Sequence, residues 1–273
     1  MRKAISIIMV MVVALSFVAG YSSGADTEDG TLSGTISTSG STSMEKVIAS
    51  LIEAFTAKHP DLTITYDATG SGAGITAAAE GIANIGLSSR DLRDTETGLE
   101  ATIIALDGIA IIVNNANAVQ DLTIEQIAGL FTGEITNWNE VGGSDKPIAL
   151  IGREGGSGTR DGFESIVGVV EQCLYDQELT STGAVIAAVA ANEYAIGYAS
   201  LSAVGTDTKT LTVQGIECTE ETVLDGTYQI QRPFIMVTST ESEQSDATRA
   251  FIEYALSEDA ADIISHAGAI QPK

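Results

Sequence analysis

Short runs rich in β-branched residues alternate along the whole chain with longer stretches of helical period, and this alternation limits the fold more than any other feature. Leu62, Ile64 and Tyr66 alternate as a half-buried strand does, while residues 109–113 and 148–151 are apolar runs of strand length. Between such runs, Met44, Val47, Ile48, Leu51, Ile52 and Phe55 recur at the three- and four-residue spacing of one helix face, as do Phe163, Ile166, Val167 and Val170. Thr123 and Gln126 make a capping box ahead of Ile127, Leu130 and Phe131. The fold class is therefore α/β. A core alone accounts for every one of these stripes.

With 273 residues the chain exceeds an ordinary single domain, so two lobes are expected. The polar stretch 114–120 follows a buried strand, and Gln231-Arg232-Pro233 breaks the chain before the apolar run 234–237. These two places serve as crossovers, giving a first lobe at 26–113, a second lobe at 114–233 and a return to the first at 234–273. Ahead of them, Arg2 and Lys3 precede the apolar run 4–19 and a small, polar stretch, the layout of a signal peptide over 1–25. The run is long enough to leave an uncleaved anchor as the alternative. Tyr21 stands where a lipoprotein leader would carry its cysteine, which excludes lipidation there.

The formal charge of −24 argues against binding a polyanion or an anionic lipid surface by general attraction, so no nucleic-acid partner is expected. Loss of Arg2 and Lys3 makes the exported chain more negative still, which favours a monomer. Cys173 and Cys218 can pair in an oxidising compartment or remain free. They form no CxxC and have no histidine nearby, so no metal site is expected.

Three helix starts look alike: Ser39-Gly40-Ser41-Thr42-Ser43, Gly70-Ser71-Gly72-Ala73-Gly74 and Gly155-Gly156-Ser157-Gly158-Thr159. Each places small hydroxyls and open backbone N–H groups at the positive end of a helix dipole, where an oxyanion is stabilised. Taken singly, each also reads as ordinary capping, and Thr42 with Glu45 spells a capping box. Their repetition favours an anion site. Arg90, Arg93, Arg153 and Arg160 lie in or beside these segments, and a guanidinium can bind two oxygens of a phosphate at once. Arg153 can reach across its loop towards Ser157, whereas Arg160 is better placed to pair with Glu164. Neither GxxxxGK[ST] nor GxGxxG is present, so a nucleotide cofactor is not expected. His59 and His266 are the only histidines and no GxSxG occurs beyond the leader, which leaves a serine hydrolase using Ser71 or Ser157 as a minor alternative.

In fixed order the segments SGSTSMEKV, TGSGAG, IGLSSRDL, ALDGIAIIVN, LFTGEITNWNEVGG, REGGSGTRDGFE and AIGYASL cover most of the chain beyond the leader. Together they resemble the substrate-binding proteins of phosphate-specific ABC transporters. The resemblance implies a two-lobed periplasmic-binding-protein type II fold, with mixed sheets flanked by helices, a two-strand hinge and the ligand clasped between the lobes. It further implies a non-enzymatic, exported receptor that captures inorganic phosphate and delivers it to a membrane permease. Residue by residue it implicates Thr42 and Ser43 at the first helix start, with Ser41 adjacent, Ser71 at the second, and Arg153, Ser157, Gly158 and Thr159 at the third. One position departs from the family pattern. Many members carry a carboxylate that accepts the proton of hydrogen phosphate where this chain has Ser88-Ser89-Arg90, so Ser89 takes that place and Asp107 is the candidate acceptor. Asp107 also reads as a turn residue before Gly108. Sulfate, arsenate, molybdate or tungstate remain alternative ligands, and a sensor kinase an alternative membrane partner.

Overall fold

The computed structural model describes residues 32–272. The proposed leader at 1–25 lies outside them. In chain order the first elements are β1 (Gly34–Gly40), α1 (Glu45–Lys58), β2 (Leu62–Ala68), α2 (Ser71–Ala79), β3 (Ile85–Ser88) and β4 (Leu99–Asn114). There follow β5 (Asp121–Leu122), α3 (Ile124–Phe131), β6 (Ala149–Arg153), α4 (Gly158–Val167), β7 (Gln177–Leu179), α5 (Thr182–Ala191) and β8 (Ala195–Ser200). The chain closes with β9 (Thr208–Thr210), β10 (Thr212–Val213), α6 (Glu220–Leu224), β11 (Gln231–Ser239), α7 (Asp246–Leu256) and α8 (Glu258–His266).

The principal sheet has the order β2-β1-β3-β11-β4-β8-β6-β7, with β9 also on β4. It is mixed: β1 runs parallel to β2 and β3, β11 antiparallel to β3 and β4, and β6 parallel to β7 and β8. Each parallel pair is joined through a helix, which covers the sheet with the apolar stripes read from the sequence. Val47, Ile48, Leu51 and Phe55 of α1 are buried, as the spacing requires. The box at α3 forms as expected: Thr123 Oγ1 accepts from the Gln126 backbone N–H at 3.2 Å, and the Gln126 side chain accepts from the Thr123 N–H at 2.9 Å. At α4 the periodic reading runs too far. Gly168 takes a left-handed φ of 79° and ends the helix, so Val170 lies beyond it and is exposed.

Strand β4 carries the chain past two apolar clusters. Ile104 and Ala105 pack with β1, α1 and α7, whereas residues 109–113 pack with α3, α4 and β8. The return is made on entering β11: Ile230, just before it, belongs to the second cluster and Phe234, within it, to the first. Residues 99–108 of β4 pair with β11, and residues 109–113 pair with β8. Asp107 and Gly108 therefore sit inside a continuous strand between the two clusters, which removes the turn reading of that pair.

The end of β1 aims the first helix start. Gly40 has φ of 148°, and its carbonyl accepts from the N–H groups of Thr69 and Gly70 at 2.9 and 2.8 Å. A Cβ here would collide with the Leu87 carbonyl oxygen. Gly40→Ala is expected to destabilise the fold by about 3 kcal/mol, read as a Tm lower by about 6–12 °C in thermal unfolding followed by circular dichroism.

Both cysteines are free thiols, Cys218 buried and Cys173 partly so. Burial pushes the Cys173 thiol up to about 11 and the Cys218 thiol up to about 12. Two thiols per chain are expected to react with an aromatic disulfide reagent on unfolding without reductant; a titre of zero would show a bridge instead.

Candidate functional site

The three look-alike helix starts converge on one buried cluster of hydroxyls. Ser43 Oγ lies 2.8 Å from Thr159 Oγ1, joining the first start to the third. Ser41 Oγ donates to Ser89 Oγ at 2.8 Å, and Ser71 Oγ lies 3.2 Å from Ser89 Oγ while accepting the Ser89 backbone N–H at 3.1 Å. The second and third starts touch directly: Gly72 N–H donates to the Gly156 carbonyl at 3.0 Å, and a Cβ on Gly158 would collide with the Ser71 hydroxyl and sit 2.8 Å from Ser89 Oγ. Glycine is required at 158 by that close approach.

Local capping explains less of the cluster than the sequence allowed. Thr42 makes no capping box with Glu45; Met44 precedes α1 with no side-chain cap, and Thr42 Oγ1 instead accepts the Thr182 N–H and lies 3.2 Å from Thr182 Oγ1. Ser41 accepts from the Ser43 N–H at 3.3 Å, starting the short 3₁₀ turn at Thr42–Met44. Ser157 likewise caps its own helix, accepting from the Arg160 N–H at 3.4 Å. Thr182 was not among the sequence candidates, although it opens α5 and Ser181-Thr182-Gly183 repeats the signature of the other three starts. Thr182 Oγ1 sits 2.9 Å from Ser43 Oγ and accepts from Arg153 Nη1 at 3.2 Å.

Of the four arginines near these segments, only Arg153 turns into the cluster. Its Nε and Nη2 donate to the carbonyls of Leu179 and Thr180 at 3.0 Å each, which leaves Nη1 facing the hydroxyls. The residue is 2% exposed. No ion pair among the described residues involves it. Burial lowers its guanidinium to about 10, which still leaves a cation at neutral pH. The other three are occupied by carboxylates. Arg160 pairs with Glu164 at 2.8 Å and Glu178 at 3.0 Å, and Arg90 with Glu96 at 2.7 Å. Arg90 and Arg93 also share Asp161 of α4, at 2.9 and 2.6 Å.

Asp107 lies behind the cluster and does not open onto it. One carboxylate oxygen accepts from the Ser200 hydroxyl at 2.7 Å and the other from Arg232 Nε and Nη2 at 3.2 and 3.0 Å. Both groups are buried. Burial raises the Asp107 carboxyl above its ordinary range against the opposing pull of Arg232, and burial lowers the Arg232 guanidinium. Arg232 Nη1 reaches Ser89 Oγ at 3.2 Å, so the pair is tied to the cluster through that serine. In the sequence Gln231-Arg232-Pro233 reads as a chain breaker and a crossover between lobes; no local pattern ties Arg232 to a residue 125 positions away.

Neither histidine approaches the hydroxyls. His59 packs its ring 4.6 Å from Phe55, and His266 Nδ1 lies 2.6 Å from the Asp262 carbonyl within α8. Among the described residues no group of three or more His, Cys, Asp or Glu side chains is arranged to hold a metal.

A mixed sheet flanked by helices, with four helix N termini and one unpaired guanidinium meeting at a point, defines a class of anion receptor. The family model for the PBP superfamily domain matches residues 25–259. A phosphate-binding protein PstS of Bacillus subtilis (strain 168) is 32% identical over 241 residues, covering 83% of this chain and 77% of that protein. Among solved structures, a chain from Clostridium perfringens assigned as a phosphate ABC transporter substrate-binding protein, with bound phosphate, superposes with a TM-score of 0.85 at 43% identity, covering 88% of this chain and all of that one. An ABC-type phosphate transport receptor from Vibrio cholerae gives a TM-score of 0.71 at 36% identity over 87% of this chain. The chain belongs to the PBP superfamily and, within it, to the family of PstS phosphate-binding proteins.

Proposed function

We propose that this chain is an extracytoplasmic receptor that captures inorganic phosphate in the hydroxyl cluster and passes it to an ABC permease. The observation that carries the reading is Arg153, a buried cation with no carboxylate partner among the described residues, surrounded by helix N termini and hydroxyls. Such a charge is stable inside a protein only when an anion completes it. Ser41, Thr42, Ser43, Ser71, Ser89, Ser157, Gly158 and Thr159 supply the surrounding polar groups, Thr182 joins them, and Asp107 contributes from behind through Arg232. The homology to phosphate-binding relatives supports phosphate over sulfate, arsenate, molybdate or tungstate. The family is one of substrate-binding proteins, and Ser71 and Ser157 bond to hydroxyl and backbone groups with no imidazole beside them, which weighs against hydrolysis.

The two apolar clusters act in this reading as the cores of two lobes, joined by β4 near Gly108 and by β11 near Pro233. The bonds from Gly72 to Gly156 and from Arg90 and Arg93 to Asp161 hold them together around the ligand. The leader at 1–25 exports the chain, and its acidic surface keeps it monomeric. No helix of the described residues is long and apolar enough to cross a membrane. The test is calorimetric titration of residues 26–273, stripped of ligand by partial unfolding and refolding, with phosphate and then sulfate. One-to-one binding of phosphate is expected; binding of neither anion would overturn the assignment and make an esterase assay the next step.

A further inference from the structure

Ser89 has an unusual set of neighbours, and its hydrogen-bond polarity can be worked out from them. A serine hydroxyl has one proton to donate and two lone pairs to accept with. Both lone pairs are used: one takes the Ser41 hydroxyl at 2.8 Å and the other takes Arg232 Nη1 at 3.2 Å. A guanidinium has no acceptor and cannot reverse its bond, so the Ser89 proton must point away from Arg232. Two destinations remain, the ligand position or Ser71 Oγ at 3.2 Å. Ser71 Oγ already accepts the Ser89 N–H at 3.1 Å, so a second donation from Ser89 fills it and turns its own proton outward. Either way one O–H donor from this pair is delivered to the ligand position.

We infer that Arg232, anchored by Asp107, is a positioning residue for anion capture: it acts through Ser89 to fix the Ser89–Ser71 hydroxyl pair as a donor. The inference rests on the anion-receptor reading above. Asp107 holds Nε and Nη2 and so aims Nη1; Ser200 holds the far side of Asp107, and the Ser202 hydroxyl, 2.7 Å from the Ser200 hydroxyl, donates to the Ser43 carbonyl at 3.2 Å. The Arg232 guanidinium also lies 5.6 Å from the centre of the Phe234 ring, which fixes it from a third side. Its charge is balanced by Asp107 at 3.0 Å, so its contribution to the ligand is a proton direction and Arg153 remains the unbalanced charge.

A thermodynamic cycle separates this from a merely structural role. Phosphate affinity is measured by calorimetry for the intact protein, Ser89→Ala, the paired variant Arg232→Gln with Asp107→Asn, and all three changes together. The paired variant removes both charges together and strands neither. Ser89→Ala is expected to weaken phosphate about 10- to 100-fold, the paired variant by a similar factor, and the combination by no more than about twofold beyond either, because coupled residues are not additive. Arg232→Lys, which keeps a cationic donor beside Asp107, is expected to lose less than Ser89→Ala does. Factors that multiply in the combination, or a paired variant that binds like the intact protein, would overturn the inference while leaving phosphate capture standing. Should the paired variant fail to melt cooperatively, Arg232→Lys alone and combined with Ser89→Ala closes the same cycle. Absence of phosphate binding by the intact protein would instead remove the reading on which the inference rests.

Discussion

Arg153→Met is expected to weaken phosphate by about a hundredfold to several thousandfold, the factor that follows from removing one partner of a buried, hydrogen-bonded charge pair at a cost of about 3–5 kcal/mol. The same change should leave the ligand-free protein at least as stable as before. Met replaces the aliphatic stem and needs no hydrogen bonds, and the carbonyls of Leu179 and Thr180 lose only their guanidinium donors. Most disruptive core substitutions lower both binding and stability, so the opposite signs are the signature of a cation retained for its ligand. Isothermal titration and thermal unfolding without phosphate read the two effects separately. A variant that bound as tightly as the parent would show that the hydroxyls and helix dipoles suffice without the guanidinium.

The second large effect is on folding. Arg232→Leu leaves the Asp107 carboxylate buried with only Ser200 and Ser202 as donors, and stranding one member of a buried pair costs about 3–5 kcal/mol. Its pH dependence has a definite sign. Burial already raises the Asp107 carboxyl, and removing the cation that opposes this raises it further. A carboxyl with a folded pKa above its unfolded one contributes stability that is present below the unfolded value and is lost as pH rises through the folded value. Urea unfolding should therefore show a larger deficit for Arg232→Leu at pH 8 than at pH 5.5. An equal deficit at both would mean that the carboxylate had found water or another donor.

The sequence makes the fold and most of the site legible because both rest on local pattern. Helix faces such as that of α1 follow from spacing, and the Gly/Ser/Thr starts announce themselves before any tertiary contact is known. What stayed hidden depends on residues far apart in the chain. Thr42 looks like a cap for its own helix until Thr182, on the opposite side of the cluster, is found beside it. The four-residue spacing already points Arg160 at Glu164, and that pair forms; what spacing could not show is Glu178 as its second partner, or the Leu179 and Thr180 carbonyls that hold Arg153. Asp107 was singled out for its chemistry, and its partner across 125 residues shows that the carboxylate is engaged by Arg232 and not open to a ligand proton. Thr182 alone could have been found, by applying the same helix-start criterion a fourth time.

A cation enclosed without a counter-charge makes the anion part of the protein's own architecture. Saturation at a hundred times Kd would add about 2.7 kcal/mol to the folded state. The empty receptor is accordingly its own weakest form, the one that opens most often to any protease it meets. Its resistance to proteolysis is then expected to rise with the concentration of the ion that completes it.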